Sequence, residues 1–329
     1  MSESTPNPYD AGEPLPSEQG FRPPDEAYRV ATPDFGPEHD PLVNPAVQGF
    51  SGWTYRVGGV LRRGWSQLLV IFALTHLLPT VVFGVLLVAG VIAGGGFDLS
   101  ILGRSDMAEE LIATLLATVA AYVVVVLLLQ MLGYAAATHL ATRQAAGLPV
   151  TVGEAMRYGL RRMLGLTLWH VLAYLLVGLG VVAVAACCVQ IASLIGVIPV
   201  LLVGGYLMLV IALLGPAFLF ERGSPLRRSS TLLHNAFWPT TGRLLLLGLT
   251  LFAGSVIERM LSAIGTAVVP PGDTAMAVAM TGATTLLGAV IEIPLTMVLF
   301  SGILITYAER RGAEDTVSTR RLVDELAAR

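Results

Sequence analysis

Glu292, in the stretch AVIEIPLTMVLF, is the one carboxylate placed well inside a predicted apolar span. A charge at such a depth costs roughly 2.5 to 3.5 kcal/mol on insertion scales, so the group must be protonated, paired or beside water. Arg259, near the end of the preceding predicted helix, is the expected partner. The two together could form an ion or proton site. The alternative is structural, an interhelical contact or a polar cavity near a kink at Pro294, and that role is the one expected.

Other reactive side chains lack the spacing that chemistry needs. His76 and His170 fall inside predicted helices where neutral imidazoles can hydrogen-bond across a bundle. Neither belongs to an HxxxH or HExxH pattern, so no metal and no cofactor is expected. His234 has no carboxylate near it in sequence and is expected in solvent or among headgroups. Cys187 and Cys188 are adjacent in an apolar run, which offers no CxxC spacing and reads as buried inert thiols. The GxSxG and GxxxxGK[ST] patterns are absent, which removes a nucleophile elbow and a phosphate loop. No catalytic residue is assigned, and an enzyme is not expected.

What does recur is the arginine pair. Arg62 and Arg63 lie in SGWTYRVGGVLRRGW (51–65), Arg161 and Arg162 in TVGEAMRYGLRRMLG (151–165), and Arg227 and Arg228 in SPLRRSSTLLHNAFW (224–238). Each segment groups apolar residues on one helical face: Trp53, Val57, Val60, Leu61 and Trp65 in the first, Val152, Met156, Leu160 and Met163 in the second, Leu226, Leu233 and Phe237 in the third. Thr151 and Glu154 have capping-box spacing, and Ser224-Pro225 reads as an N-cap followed by proline at the first helical position. Short, basic, amphipathic helices suit a membrane interface, with arginines toward anionic headgroups and apolar faces at the acyl boundary. The six paired arginines are therefore the candidate lipid contacts.

The elements that carry these pairs follow from composition. The 329 residues are 54% hydrophobic and 13% charged, with a mean hydropathy of +0.72, whereas soluble domains carry roughly 25% charged residues. A hydrocarbon core of about 30 Å needs about 20 apolar helical residues. Stretches 64–97 and 111–142 contain no Asp, Glu or Arg, and 163–220 is long enough for two spans and a turn. Six membrane helices are predicted, at about 66–94, 111–139, 164–187, 197–219, 243–264 and 277–307. The fold class is all-α: a polytopic bundle of three hairpins, each preceded by one of the basic surface helices, in a loose threefold repeat. Pro199, Pro216 and Pro294 are tolerated within spans as kinks.

Charge distribution sets orientation. With the N-terminus inside, thirteen arginines flank the spans on the cytoplasmic side, against Arg104 and Arg259 outside. This is the positive-inside pattern, and it requires an even number of crossings with both termini cytoplasmic. All 20 basic residues are arginine, and the abundance of Ala, Leu, Val and Gly is that of a GC-rich bacterial genome, so the expected location is a bacterial inner membrane.

Residues 1–50 hold ten prolines, nine acids and two arginines, giving −7 within an overall −3. Such a segment buries too little apolar surface to offset its ordering entropy and is expected to be disordered. It also lacks the basic and apolar regions of a signal peptide, so the first span is expected to direct insertion. The predicted organisation is an acidic cytoplasmic tail at 1–50, a membrane domain at 51–311 and a cytoplasmic C-terminal tail at 312–329. A pI near 6.0 argues against a nucleic-acid partner.

From the fourth helix onward the chain carries GPAFLFERGSPLRRSSTLLHNAFWPTTGRLLLLGLTLF and then EIPLTMVLFSGILITYAERRGAEDTVSTRRLVDEL. This resembles the membrane domain found with some glycerophosphoryl diester phosphodiesterases and in stand-alone integral membrane proteins of high-GC bacteria. Pro216-Ala217, Glu221, Leu226-Arg227-Arg228-Ser229, Phe237-Trp238 and Tyr307-Ala308-Glu309-Arg310-Arg311 match that pattern over about the last 120 residues, while Glu292 has no counterpart in it. The resemblance implies a six-helix membrane domain. It does not imply phosphodiesterase activity, since that catalytic domain is a TIM barrel needing at least about 200 soluble residues. The function expected is a non-catalytic scaffold or accessory membrane subunit, binding lipid or a protein partner at its basic face, with the acidic tail able to fold on such a partner. The alternative is a transporter or lipid-handling protein that uses Glu292; an intramembrane enzyme ranks third.

Overall fold

A computed structural model describes residues 39–93, 105–188, 197–270 and 272–328. Among these residues there is no strand. Ten α-helices are described: α1 (Gly49–Phe72), α2 (Leu78–Ala93), α3 (Ser105–Ala145), α4 (Val152–Cys188), α5 (Val197–Ala212), α6 (Leu214–Phe220), α7 (Pro225–Asn235), α8 (Phe237–Ala267), α9 (Thr274–Glu314) and α10 (Thr319–Ala327). Six apolar stretches are long enough to cross a bilayer: Ala46–Val85, Leu116–Ala145, Val152–Cys188, Val197–Phe220, Phe237–Ala267 and Met276–Glu314. The protein is a helical membrane bundle, as its apolar runs dictate. The expected outer position of Arg104 lies outside the described residues.

Local breaks have local causes. Between α1 and α2 the helix widens into a π-helical turn, Ala73–Leu77. Pro216 lacks an N–H and its ring crowds the carbonyl four residues back, so the chain turns at Leu213, between α5 and α6. Pro199 lies in the described part of α5. Pro294 lies inside α9, which continues through it.

Lipid is as apolar as a protein interior, so helices in a membrane are held by close packing and polar contacts more than by the hydrophobic effect. Small residues supply the close packing. Gly159 of α4 lies so near α3 that an added Cβ would stand 2.6 Å from the Leu132 carbonyl oxygen. The most extensive pairings are α3 with α4 and α8 with α9, followed by α1 with α9, α4 with α5 and α1 with α3. Because α3 pairs most closely with α4, the packing does not divide into three separate hairpins. α9 is the centre: positions 301–309 are all buried, with Phe300 and Tyr307 among the largest enclosed side chains. The outer faces carry exposed Leu, Val and Phe, such as Leu168, Leu175 and Leu179 of α4 and Leu249 and Phe252 of α8.

The three basic segments take three different forms. In α1 the backbone leaves helical geometry at Gly64 (φ −132°, ψ 18°), one residue after the arginine pair. The second segment continues unbroken into the span of α4, and its Thr151 and Glu154 form the expected reciprocal cap at 3.0 and 3.2 Å. The third is a separate helix, α7, with Ser224 and Pro225 at its start. Parts of the apolar faces in the first and third segments are covered by protein. Trp53, Val57 and Val60 of α1 and Leu232 and Leu233 of α7 are buried against the protein, while Trp65 is exposed. Amphipathicity specifies an apolar neighbour, and for these buried residues that neighbour is protein, while Trp65 and Leu160 stay exposed.

Packing extends past 51–311 at both ends. Leu42 and Val43 belong to the core, and Asp40 and Asn44 are buried. α10 is only nine residues long, too short to be stable alone; it docks through Leu322 and Leu326. Asp40 joins the two ends. Its Oδ1 accepts from Leu42 N (2.9 Å), Val43 N (2.7 Å) and the Thr319 hydroxyl (2.6 Å), and its Oδ2 accepts from Thr319 N (2.8 Å). The chain thus enters the first span and leaves the last at one end of the bundle, as an even number of crossings demands.

Candidate functional site

The arginine-rich end is organised around two carboxylates. Glu309, near the end of α9, is 2% exposed and meets Arg243 of α8 at 2.6 Å and its neighbour Arg310. Asn44 donates its side-chain amide to Glu309 at 3.0 Å and accepts from Arg56 of α1 at 2.9 Å. Arg56 also donates to the Asp40 carbonyl (2.9 Å), Gln48 (2.7 Å) and the Gly52 carbonyl (3.1 Å). Nearby, the Trp53 indole donates to Thr306 at 2.9 Å. One buried carboxylate thereby ties α1, α8, α9 and the segment before α1.

Glu221, just after α6, is the second hub. It accepts from the Tyr307 hydroxyl at 2.8 Å and from Arg228 of α7 at 2.6 Å, with Arg311 3.6 Å away. Arg228 also reaches Glu314 at 2.7 Å, and Arg311 grips Glu325 of α10 with both terminal nitrogens. Partial burial lowers the Arg228 pKa, but Glu221 and Glu314 outweigh that effect and hold the guanidinium above its ordinary range. Its charge is fixed at any physiological pH. Both hubs place charge-assisted hydrogen bonds where solvent is scarce, which rigidifies this end.

The arginine pairs are consequently unequal. Arg228 is committed to carboxylates, whereas Arg227 points out. Arg162 stands over the Tyr158 ring at 5.9 Å and Arg161 is exposed. Arg62 and Arg63 are exposed and line a cleft of about 910 Å³ with Tyr55, Arg56, His39 and Gln144.

Glu292 and Arg259 are not brought together: among the described residues no ion pair includes either. Both are exposed on the flank of the bundle. The acidic neighbour on that seam is Glu258 of α8, whose side chain rests on Gly288, one helical turn before Glu292. Sequence spacing favoured Arg259 because it is a cation near the right depth, but the helix rotation turns its neighbour Glu258 toward α9.

The histidines make local contacts, and the two cysteines are not buried as expected: Cys187 is exposed and Cys188 half-buried on the flank of α4. His170 bonds the Leu166 carbonyl at 2.9 Å within its own helix. His76 lies on the π-helical turn beside Thr75 at 3.1 Å. His234 is exposed, as expected, and also bonds the Tyr206 hydroxyl at 3.0 Å, linking α7 to α5. Among the described residues no group of three or more His, Cys, Asp or Glu could hold a metal ion.

The two hubs are what residue-by-residue reading missed. Glu221 and Glu309 were legible only as parts of a resemblance, although acids among so many arginines at one end were a usable signal. Together the six spans and the polar end define a multi-pass integral membrane protein. Compared with protein-family models, curated proteins and solved structures, the chain matches none.

Proposed function

We propose that this protein is a non-catalytic scaffold or accessory subunit of a bacterial plasma membrane, related to the stand-alone membrane domains it resembles. The arginine-rich end faces the cytoplasm, following the positive-inside rule. There it meets anionic lipid and a protein partner, with the acidic N-terminal segment as the partner's contact. The observation that supports this reading is the division of arginines at that end: an inner set locked to Glu221 and Glu309, and an outward set including Arg62, Arg63, Arg161 and Arg227. A rigid polar platform under exposed cations is suited to holding a surface.

The test is tagged purification in mild detergent of the full chain and of a variant lacking residues 1–34, a deletion that spares Asp40 and its clasp. A protein that co-purifies only with the full chain is the expected result. Absence of any such partner counts against the scaffold reading. The second reading, transport or lipid handling, draws on the exposed Glu292 beside Glu258 in an apolar flank. Glu292→Gln with normal abundance but lost flux would favour it, and unchanged behaviour removes it.

A further inference from the structure

We propose that the cleft on α1 is a specific phosphate-binding site, and that the lipid contact of this protein is concentrated there rather than shared among the three arginine pairs. The proposal rests on the reading of the arginine-rich end as a lipid-facing surface, and narrows it to one place and one chemical class of ligand. The cleft, of about 910 Å³, is walled by α1, by the end of α3 at Gln144 and Ala145, and by His39 and Pro41.

Among the described residues three arginines line it, Arg56, Arg62 and Arg63, against one carboxylate, Asp40. That carboxylate already accepts four hydrogen bonds from Leu42, Val43 and Thr319. Arg56 is buried, with its Nε and Nη1 donating to protein oxygens, so it contributes mainly charge. Arg62 enters no ion pair among the described residues, and Arg63 makes only a long 3.4 Å contact to the Pro41 carbonyl. The cleft therefore holds two exposed guanidinium groups and a surplus of positive charge. An anion with several acceptor oxygens satisfies both requirements, and a phosphate does so in the fork geometry that arginine offers.

Local sequence prepares the room. Gly58 has nothing within 4 Å of the place a Cβ would occupy, and Gly59 lets the Arg63 guanidinium fold back to 3.1 Å from that place. Gly64 is buried against the Gln144 amide, where a side chain would collide, so α3 can close the wall. Further along α1, Trp65, Leu69 and Val70 are exposed. A phospholipid with its phosphate between Arg62 and Arg63 could lay its acyl chains along this surface, and Trp65 suits the headgroup level. Neither other pair has these features: Arg228 is held by Glu221 and Glu314, and Arg162 by the Tyr158 ring.

The test uses the purified full chain in detergent, with bound phosphatidylglycerol counted by native mass spectrometry against phosphatidylcholine. Arg62→Gln/Arg63→Gln should weaken phosphatidylglycerol retention by roughly tenfold or more, while Arg161→Gln/Arg162→Gln should leave it within a factor of about two. Gly58→Glu adds an acid in open space, one turn before Arg62, without replacing an arginine and should also weaken retention, which separates charge from misfolding. Inorganic phosphate distinguishes the source. Retention that resists millimolar phosphate identifies a lipid headgroup, and displacement with the same Arg62 and Arg63 dependence identifies a soluble phosphate; both support the site. Equal losses in the two arginine variants would overturn the site and leave the lipid-facing surface standing. No preference for phosphatidylglycerol by the unmodified chain, with no phosphate effect, would overturn both.

Discussion

Glu309→Gln is the most direct probe of the buried network. The substitution keeps shape and one acceptor oxygen but removes the charge that faces Arg243 at 2.6 Å, where the two side chains are 7% and 2% exposed. Breaking a buried pair by neutralising one partner costs about 3 to 5 kcal/mol, because the other charge is left uncompensated. Arg310, at 11% exposed, can turn toward solvent, and the glutamine oxygen can still accept from Asn44. Both effects place the expected loss near the lower end, about 3 kcal/mol, or about a hundredfold in the folding equilibrium. Thermal denaturation in mild detergent, followed by size-exclusion of a fluorescent fusion, should show a clearly lowered midpoint. The interaction itself is isolated by a double-mutant cycle with Arg243→Met, in which the double variant should be less destabilised than the sum of the singles. A loss below about 1 kcal/mol, or strict additivity with Arg243→Met, would refute the reasoning, since it would mean that the carboxylate is not the counter-charge of Arg243.

Three further outcomes follow from the packing. Gly159→Ala drives a methyl into the Leu132 carbonyl, a backbone atom that cannot rotate away; a loss of about 1 to 3 kcal/mol is expected from the same thermal assay, and an unchanged midpoint contradicts the α3–α4 contact. Tyr134 is enclosed beside Phe300, and its hydroxyl has no hydrogen-bond partner among the described residues, so Tyr134→Phe should leave the midpoint unchanged or raise it. Asp40→Ala frees Thr319 from both of its bonds to that carboxylate. Hydrogen exchange should then rise locally in 319–327 and at Leu42 and Val43, whose N–H groups also lose that acceptor, and trypsin should cut faster at Arg320 and Arg321. Uniform exchange across the whole chain would show that Asp40 is not a local clasp.

Much of this protein is a one-dimensional property. An uncharged run of some twenty residues must be helical in lipid because each backbone N–H and C=O needs a partner within the segment. That is why the six membrane helices, and the room for two of them in the uncharged run 163–220, were legible residue by residue. The Thr151–Glu154 cap was legible for the same reason, since both partners lie within one helical turn.

Three-dimensional contact decided the rest. Whether the apolar face of Trp53, Val57 and Val60 meets lipid or protein has no signature in periodicity, because both neighbours are apolar. Which arginine answers which acid depends on helix rotation and on partners far apart in the chain: Tyr307 finds Glu221 across 86 positions, and Asp40 finds Thr319 across 279. Composition averaged over residues 1–50 hid the few, Asp40 to Asn44, that are core. The inequality of the three arginine pairs has the same origin, since identical dipeptides acquire different chemistry only from what the folded chain sets opposite them.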